Sequence, residues 1–230
     1  MDFAVKAVLS QFEGEMDAYY ALLMMRLMNL CVKANPVSLL PVVVEADEQE
    51  KVFEEVADVS VPDEDHLDVY PKLDEFIFNI CKGVMEVHPE FDMSQETYRH
   101  GDEDIRYLRF TMPAVNSDRR DVLNQGVDAF YEEAKKQFKE TKAKYLIRLT
   151  EKVQKVSKED ADQAQDRFDN HYKTITDLTE DLVNDKKKEI EEAYQRYLEK
   201  EAAREQEAQE QLAAEGEDMK SKLKLPFGDE

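Results

Sequence analysis

The 230-residue chain has no tryptophan and is short of glycine (six), proline (seven) and cysteine (two). Each shortage excludes something. So few Gly and Pro leave little material for the frequent tight turns of an all-β sandwich or barrel, which favours long helices. Cys31 and Cys81 form no CxxC pair and lie among apolar residues, so a disulfide scaffold is excluded and free thiols of a reducing compartment are expected. Long apolar runs are also missing. The most apolar stretch, 18–31, is too short to span a bilayer and contains Arg26, so no membrane insertion is expected. Neither a secretory signal nor an Arg-rich transit peptide is visible at the start of the chain, which reads as either cytosolic or a mature form.

Basic charge is scarce overall but unevenly so. The net charge is −22, with 42% apolar and 37% charged residues. Residues 35–112 carry six basic against twenty acidic side chains, whereas residues 113–200 carry eighteen against twenty. An acidic surface repels phosphates, so any nucleic-acid contact has to be local and to oppose the acidity of the middle segment.

Periodicity divides the chain in three. Residues 2–33 read as one helix, with Val5, Leu9, Phe12, Met16, Tyr20, Leu23, Leu27 and Leu30 at helical spacing and a stripe wide enough to suggest burial on more than one side. Pro36 ends it. Strand-like runs at 39–44, 56–61, 67–70 and 105–112, with a helix at 73–87, predict a small α/β module. Residues 116–156 and 157–213 then return to helix, the second opening on Ser157 and Asp160 in a capping-box-like arrangement. Its seam runs Ala164, Phe168, Tyr172, Ile175, Leu178, Leu182, Ile190, Tyr194, Tyr197. The expected fold is therefore α+β: a three-helix bundle from 1–34 and 114–200, an inserted α/β domain at 35–113, and an acidic tail at 201–230, helical or disordered.

Catalytic patterns are missing too. The four histidines are scattered, and neither a Gly-rich phosphate loop nor a nucleophile elbow is present, so no enzyme, cofactor or metal is expected. The clearest positive signal is residues 135–158, with nine Lys or Arg against only Glu140 and Glu151. At about 100° per residue, Lys135, Lys139 and Lys142 share one line, and Lys144, Arg148, Lys152 and Lys155 another. Two basic lines flanking an apolar seam suit a phosphate backbone. They equally suit lysine stems that cover the seam and pair with acids of the neighbouring helices. Lys186–Lys188, set among acids, reads as an ion-paired surface.

Leu108-Arg109-Phe110-Thr111-Met112-Pro113, running on through Asn116-Ser117-Asp118-Arg119-Arg120, resembles the hinge of ribosome recycling factors. Lys33-Ala34-Asn35-Pro36 is similar to that family's first hinge, Val153 to Asp160 to its last interhelical turn, and Thr174 to Glu192 to its C-terminal helix. The resemblance spans roughly 16–197. It implies a three-helix bundle with an inserted domain on a two-strand hinge, and a non-enzymatic factor that binds the ribosome after termination and works with a translocase GTPase. It also implies an rRNA-contacting helix at 117–155. The candidate RNA-binding residues are Lys33, Arg109, Arg119, Arg120, Lys135, Lys136, Lys139 and Lys142. The expected partner is ribosomal RNA of a mitochondrial ribosome in the matrix, with the cytoplasm as the alternative location. Where the family carries Arg-Thr-Gly-Arg at the first hinge, this chain has Leu30-Cys31-Val32-Lys33. That departure, the acidic module and the extended tail motivate an alternative: a repurposed copy of the fold serving as a structural or assembly subunit of a large mitochondrial complex.

Overall fold

The computed structural model describes residues 2–46, 49–101 and 103–222, without the side chains of His100, Glu103 and 213–222. The chain runs α1 (Phe3–Asn29), β1 (Val43–Ala46), β2 (Gln49–Val52), α2 (Phe53–Val56), β3 (Ala57–Ser60), β4 (His66–Pro71), α3 (Ile77–Val87), β5 (Asp92–His100), β6 (Glu103–Thr111), α4 (Ser117–Val153) and α5 (Lys158–Lys222). This is the expected α+β architecture, a bundle of three long helices interrupted between α1 and α4 by a small sheet domain.

In the bundle, α1 contributes a stripe of Val5, Leu9, Phe12, Met16, Leu23 and Leu27, all at most 2% exposed, against Val127, Phe138, Leu149, Phe168 and Ile190. Phe12 stacks on Phe168 at a centroid distance of 4.0 Å, which fixes α1 against α5. The expectation that α1 is buried on more than one side fails. Leu22, Met24 and Met25 face outward, so the helix buries a single stripe. Along α5 the seam takes Thr179 and Val183, while Leu178 is exposed. Residue 178 is rotated about 100° from 179, and the small Thr179 fits the seam because its hydroxyl donates to the Ile175 carbonyl at 2.7 Å.

The inserted domain holds a β1–β2 hairpin and a four-stranded antiparallel sheet of order β3-β4-β6-β5. Leu67, Val69, Leu108 and Phe110 alternate onto its buried face and meet Ile80 and Val84 of α3. Gly83 of α3 lies so close to β1 that a Cβ would sit 2.7 Å from the Val43 carbonyl oxygen. Gly101, at φ +66°, turns β5 into β6. The run at 39–44 is not one strand. Asn35 caps a 3-10 turn at Pro36–Leu39, accepting from the Val37 N–H, and β1 starts only at Val43. In the same way a single 3-10 turn at Asp74–Phe76 precedes α3. β5 escapes the periodicity because its sequence, DMSQETYRH, is polar on both faces.

Two chain crossings join the domains, at 30–35 and 112–116. Their geometry is held by main-chain bonds to the loop before β4: Ala34 N–H to the Glu64 carbonyl and Met112 N–H to the Asp65 carbonyl, both 2.7 Å. α5 passes beside them, with Arg196 3.3 Å from Glu64 and Lys200 2.7 Å from Asp65. Among the described residues, no helix is long and apolar enough to cross a membrane.

Candidate nucleic-acid interface

α4 begins where the Asn116 carboxamide accepts the Arg119 N–H at 2.9 Å, and it runs 37 residues. Val127, Ala134, Phe138, Tyr145 and Leu149 turn its inner face into the core. On a helix this puts Val122, Lys136 and Ile147 on the opposite face, and all three are exposed.

The structure separates the eight candidate residues. Lys136 projects outward, while Lys139, also exposed, stands at the rim of the α4–α5 groove. Lys136 is 72% exposed, and its one ion-pair partner among the described residues is Glu140 at 3.9 Å. Lys139 has no ion-pair partner among the described residues. Lys135 and Lys142 sit instead along the edge shared with α5. Lys135 pairs with Glu132, which raises its pKa, and lies 4.2 Å over the Tyr131 ring. Lys142 is 3.2 Å from Asp169 and 4.1 Å over Tyr172. Tyr131, Lys135, Lys139, Tyr172, Thr176 and Glu180 line a groove between α4 and α5 of about 190 Å³.

The second basic line borders α1. Lys144 reaches Glu15 at 2.7 Å, and Arg148 lies 5.0 Å over Tyr145. Glu15 also accepts from the Tyr145 hydroxyl at 2.9 Å and from Thr141 at 3.3 Å, and the Lys144 bond leads in holding its carboxyl below the usual range. The two lines are thus the seam's two edges, and Lys142 and Lys144 are paired with neighbouring helices. The run at 186–188 is ion-paired as expected, through Glu189, Asp128 and Glu192.

The remaining candidates lie at and beyond the hinge. Arg119 is half-buried and donates to the Cys31 carbonyl, and burial depresses its pKa. Arg120 lies 4.4 Å over Tyr194, bonded to Asp121 at 3.2 Å. Lys33 is exposed, 4.0 Å from Glu189. Arg109, in the sheet, is clamped by Asp68 at 2.7 and 2.8 Å and by Glu96 at 3.2 Å. These contacts raise the Arg109 pKa, with Asp68 the leading cause. The register places Asp68 and Ser94 directly opposite Arg109 on its two neighbouring strands. Tyr131 and Tyr172 read from the sequence as seam residues, and their rings also hold the edge lysines. The Tyr131–Lys135 spacing of four residues is the available signal for one of them.

A long-helix bundle interrupted by a small antiparallel domain on a two-strand hinge, with exposed lysines on the middle helix, defines a two-domain class of protein. The family model described as Ribosome recycling factor matches residues 27–190, and the chain belongs to that family. A solution structure of the ribosome recycling factor superposes with a TM-score of 0.66 at 16% identity, covering 84% of this chain and all of that one. A chain from the models of the T. thermophilus ribosome recycling factor and the E. coli elongation factor G bound to the E. coli post-termination complex gives a TM-score of 0.53 at 20% identity, covering 81% of this chain and 98% of that one. At these identities the likeness is one of fold. No curated protein sequence matches the chain significantly.

Proposed function

We propose that this protein is a non-enzymatic, ribosome-binding factor of mitochondrial translation, acting in the matrix and touching rRNA through the outward face of α4 around Lys136 and Lys139. The observation that carries this reading is the family match, whose bounds of 27 and 190 enclose the whole of α4. Lys139 has no ion pair among the described residues, and Lys136 has only the long, exposed contact to Glu140. Lys152 and Lys155, which have no ion pair among the described residues, extend the same helix toward its C-terminal end. A translocase GTPase would act on the inserted domain. Co-sedimentation with purified mitochondrial ribosomes across a salt series tests the proposal. Binding should weaken steeply with salt, and Lys136→Glu with Lys139→Glu should abolish it. Absence of salt-dependent binding by the wild-type chain rejects it.

One observation favours a second reading, a structural or assembly subunit of a large mitochondrial complex. α5 continues from the matched end at 190 to Lys222, and residues 202–212 are exposed helix. A gentle purification that returns a stable stoichiometric non-ribosomal assembly supports this alternative over the first.

A further inference from the structure

Where the first crossing leaves α1, three chemically different ligands converge. Cys31 lies just past α1 and is 4% exposed, while His88 and Glu90 lie just past α3. Cys31 Sγ is 3.9 Å from His88 Nδ1, and His88 Nδ1 is 3.3 Å from Glu90 Oε1. All three ligand atoms fall within 4.8 Å of one another.

The histidine is fixed in a revealing way. His88 is 2% exposed, stacks on Phe91 at 4.5 Å, and its Nε2 lies 2.8 Å from the Ser38 carbonyl oxygen. A carbonyl only accepts, so Nε2 carries the proton and donates. In the neutral ring the Nδ1 lone pair faces the Cys31 thiol at 3.9 Å, which can donate to it, and also a carboxylate oxygen at 3.3 Å, acceptor against acceptor. Such a contact is relieved by a cation between them, either a second ring proton or a metal ion. An imidazolium would relieve the His88–Glu90 contact but would turn an N–H toward the Cys31 thiol in place of the lone pair that the thiol can donate to. A thiol sulfur, an imidazole nitrogen and a carboxylate oxygen together form a donor set that suits zinc. The Nε2–H bond to a main-chain carbonyl is the outer-shell contact that metal-binding histidines ordinarily make.

We propose that Cys31, His88 and Glu90 form a Zn²⁺ site at the hinge, with water in the fourth position. Tetrahedral zinc with bonds of about 2.0–2.3 Å needs ligand atoms roughly 3.3–3.7 Å apart, so closing the site takes shifts of about an ångström or less. The exposed Glu90 side chain can make most of that movement. Burial pushes the Cys31 thiol up to about 11, so zinc binds by displacing that proton. Arg119 and Lys186 stand near the sulfur and oppose a dication, while the Glu90 carboxylate and the Cys31 thiolate offset them. The consequence is mechanical. Cys31 belongs to the crossing from the bundle and His88 to the inserted domain, so the metal would pin one domain to the other. The site is independent of whether the chain binds ribosomes.

The test uses the full chain, purified without a metal-affinity step, stripped with chelator, reduced, and titrated with Co²⁺. The expected result is a thiolate-to-cobalt charge-transfer band saturating at one equivalent and displaced by Zn²⁺. Cys31→Ser should abolish the band and Cys81→Ser should leave it unchanged. Glu90→Gln, at an exposed position that does not threaten folding, should weaken Co²⁺ binding at least tenfold. Zn²⁺ should also slow amide exchange at Ala34 in the wild type, a readout needing no variant. A titration without a thiolate band, or a band that survives in Cys31→Ser, overturns the proposal.

Discussion

The Arg119 guanidinium donates through Nη2 to the main-chain carbonyl of Cys31 at 2.9 Å, so the first turn of α4 is tied to the chain segment leaving α1. Both crossings between the domains are thereby linked through one side chain. Its Nε, however, is buried with no hydrogen-bond partner. The tie and the unpaired donor act in opposite directions on stability.

This opposition gives the first prediction. Arg119→Ala removes the bond to Cys31 and the packing of the side chain, and should destabilise the protein by about 1–3 kcal/mol. Arg119→Met keeps most of the apolar stem and removes the desolvated donor, so it should cost about 1 kcal/mol or less. Urea denaturation of both variants checks this, and a methionine variant no more stable than the alanine variant contradicts it.

A second prediction concerns Arg109, whose guanidinium is fully engaged by Asp68 and Glu96. Asp68 is 4% exposed, so losing the arginine strands a buried carboxylate. Arg109→Ala should cost about 2–3 kcal/mol, and Arg109→Lys should recover only part of it because an ammonium cannot reproduce the two-pronged contact. Neither should change the salt dependence of ribosome binding. A stable Arg109→Ala protein with weakened ribosome affinity would restore this residue to the interface.

How far the fold could be read from the sequence follows from where burial is one-sided. α4 and α5 were legible because Phe138, Tyr145, Phe168 and Ile190 recur on a single stripe, and β4 and β6 because Leu67, Val69, Leu108 and Phe110 alternate. β5 was not, since it is polar on both faces, and Leu178 was misplaced because a threonine occupies the seam next to it. The basic run was legible as charge. Which of its lysines are spoken for was not, because Glu15 and Asp169 lie 129 and 27 positions away from Lys144 and Lys142 and meet them only in the bundle.

Glu15 supplies the third prediction, a pH dependence. Its carboxyl is held below the ordinary 4.5 by Lys144, Tyr145 and Thr141. A depressed folded value stabilises the protein above the unfolded pKa, and the contribution is lost as pH falls through the folded one. Wild type should therefore lose stability as pH drops below about 4.5, and Glu15→Gln should lose less over the same interval, from a lower starting point at pH 7. The urea midpoint at pH 7 and at pH 3.5, measured for both proteins, decides it. Parallel losses would show that Glu15 carries no such linkage.

The fourth prediction concerns α5 and the hinge. Arg196 and Lys200 pair with Glu64 and Asp65 beyond the end of the family match at 190. Both pairs are exposed and contribute about 0.2–1 kcal/mol each, too little to govern global stability. Their leverage is local, since the carbonyls of Glu64 and Asp65 accept the Ala34 and Met112 N–H groups that shape the two crossings. Arg196→Glu with Lys200→Glu should leave the melting temperature within a few degrees of wild type while speeding hydrogen exchange at Ala34 and Met112 severalfold. Exchange at Phe138, in the bundle core, should not change. Unaltered exchange at the two hinge amides would mean that α5 lies beside the inserted domain without restraining it. Faster exchange would make the helix beyond residue 190 a brake on domain motion, present in this chain outside the part that the family model matches.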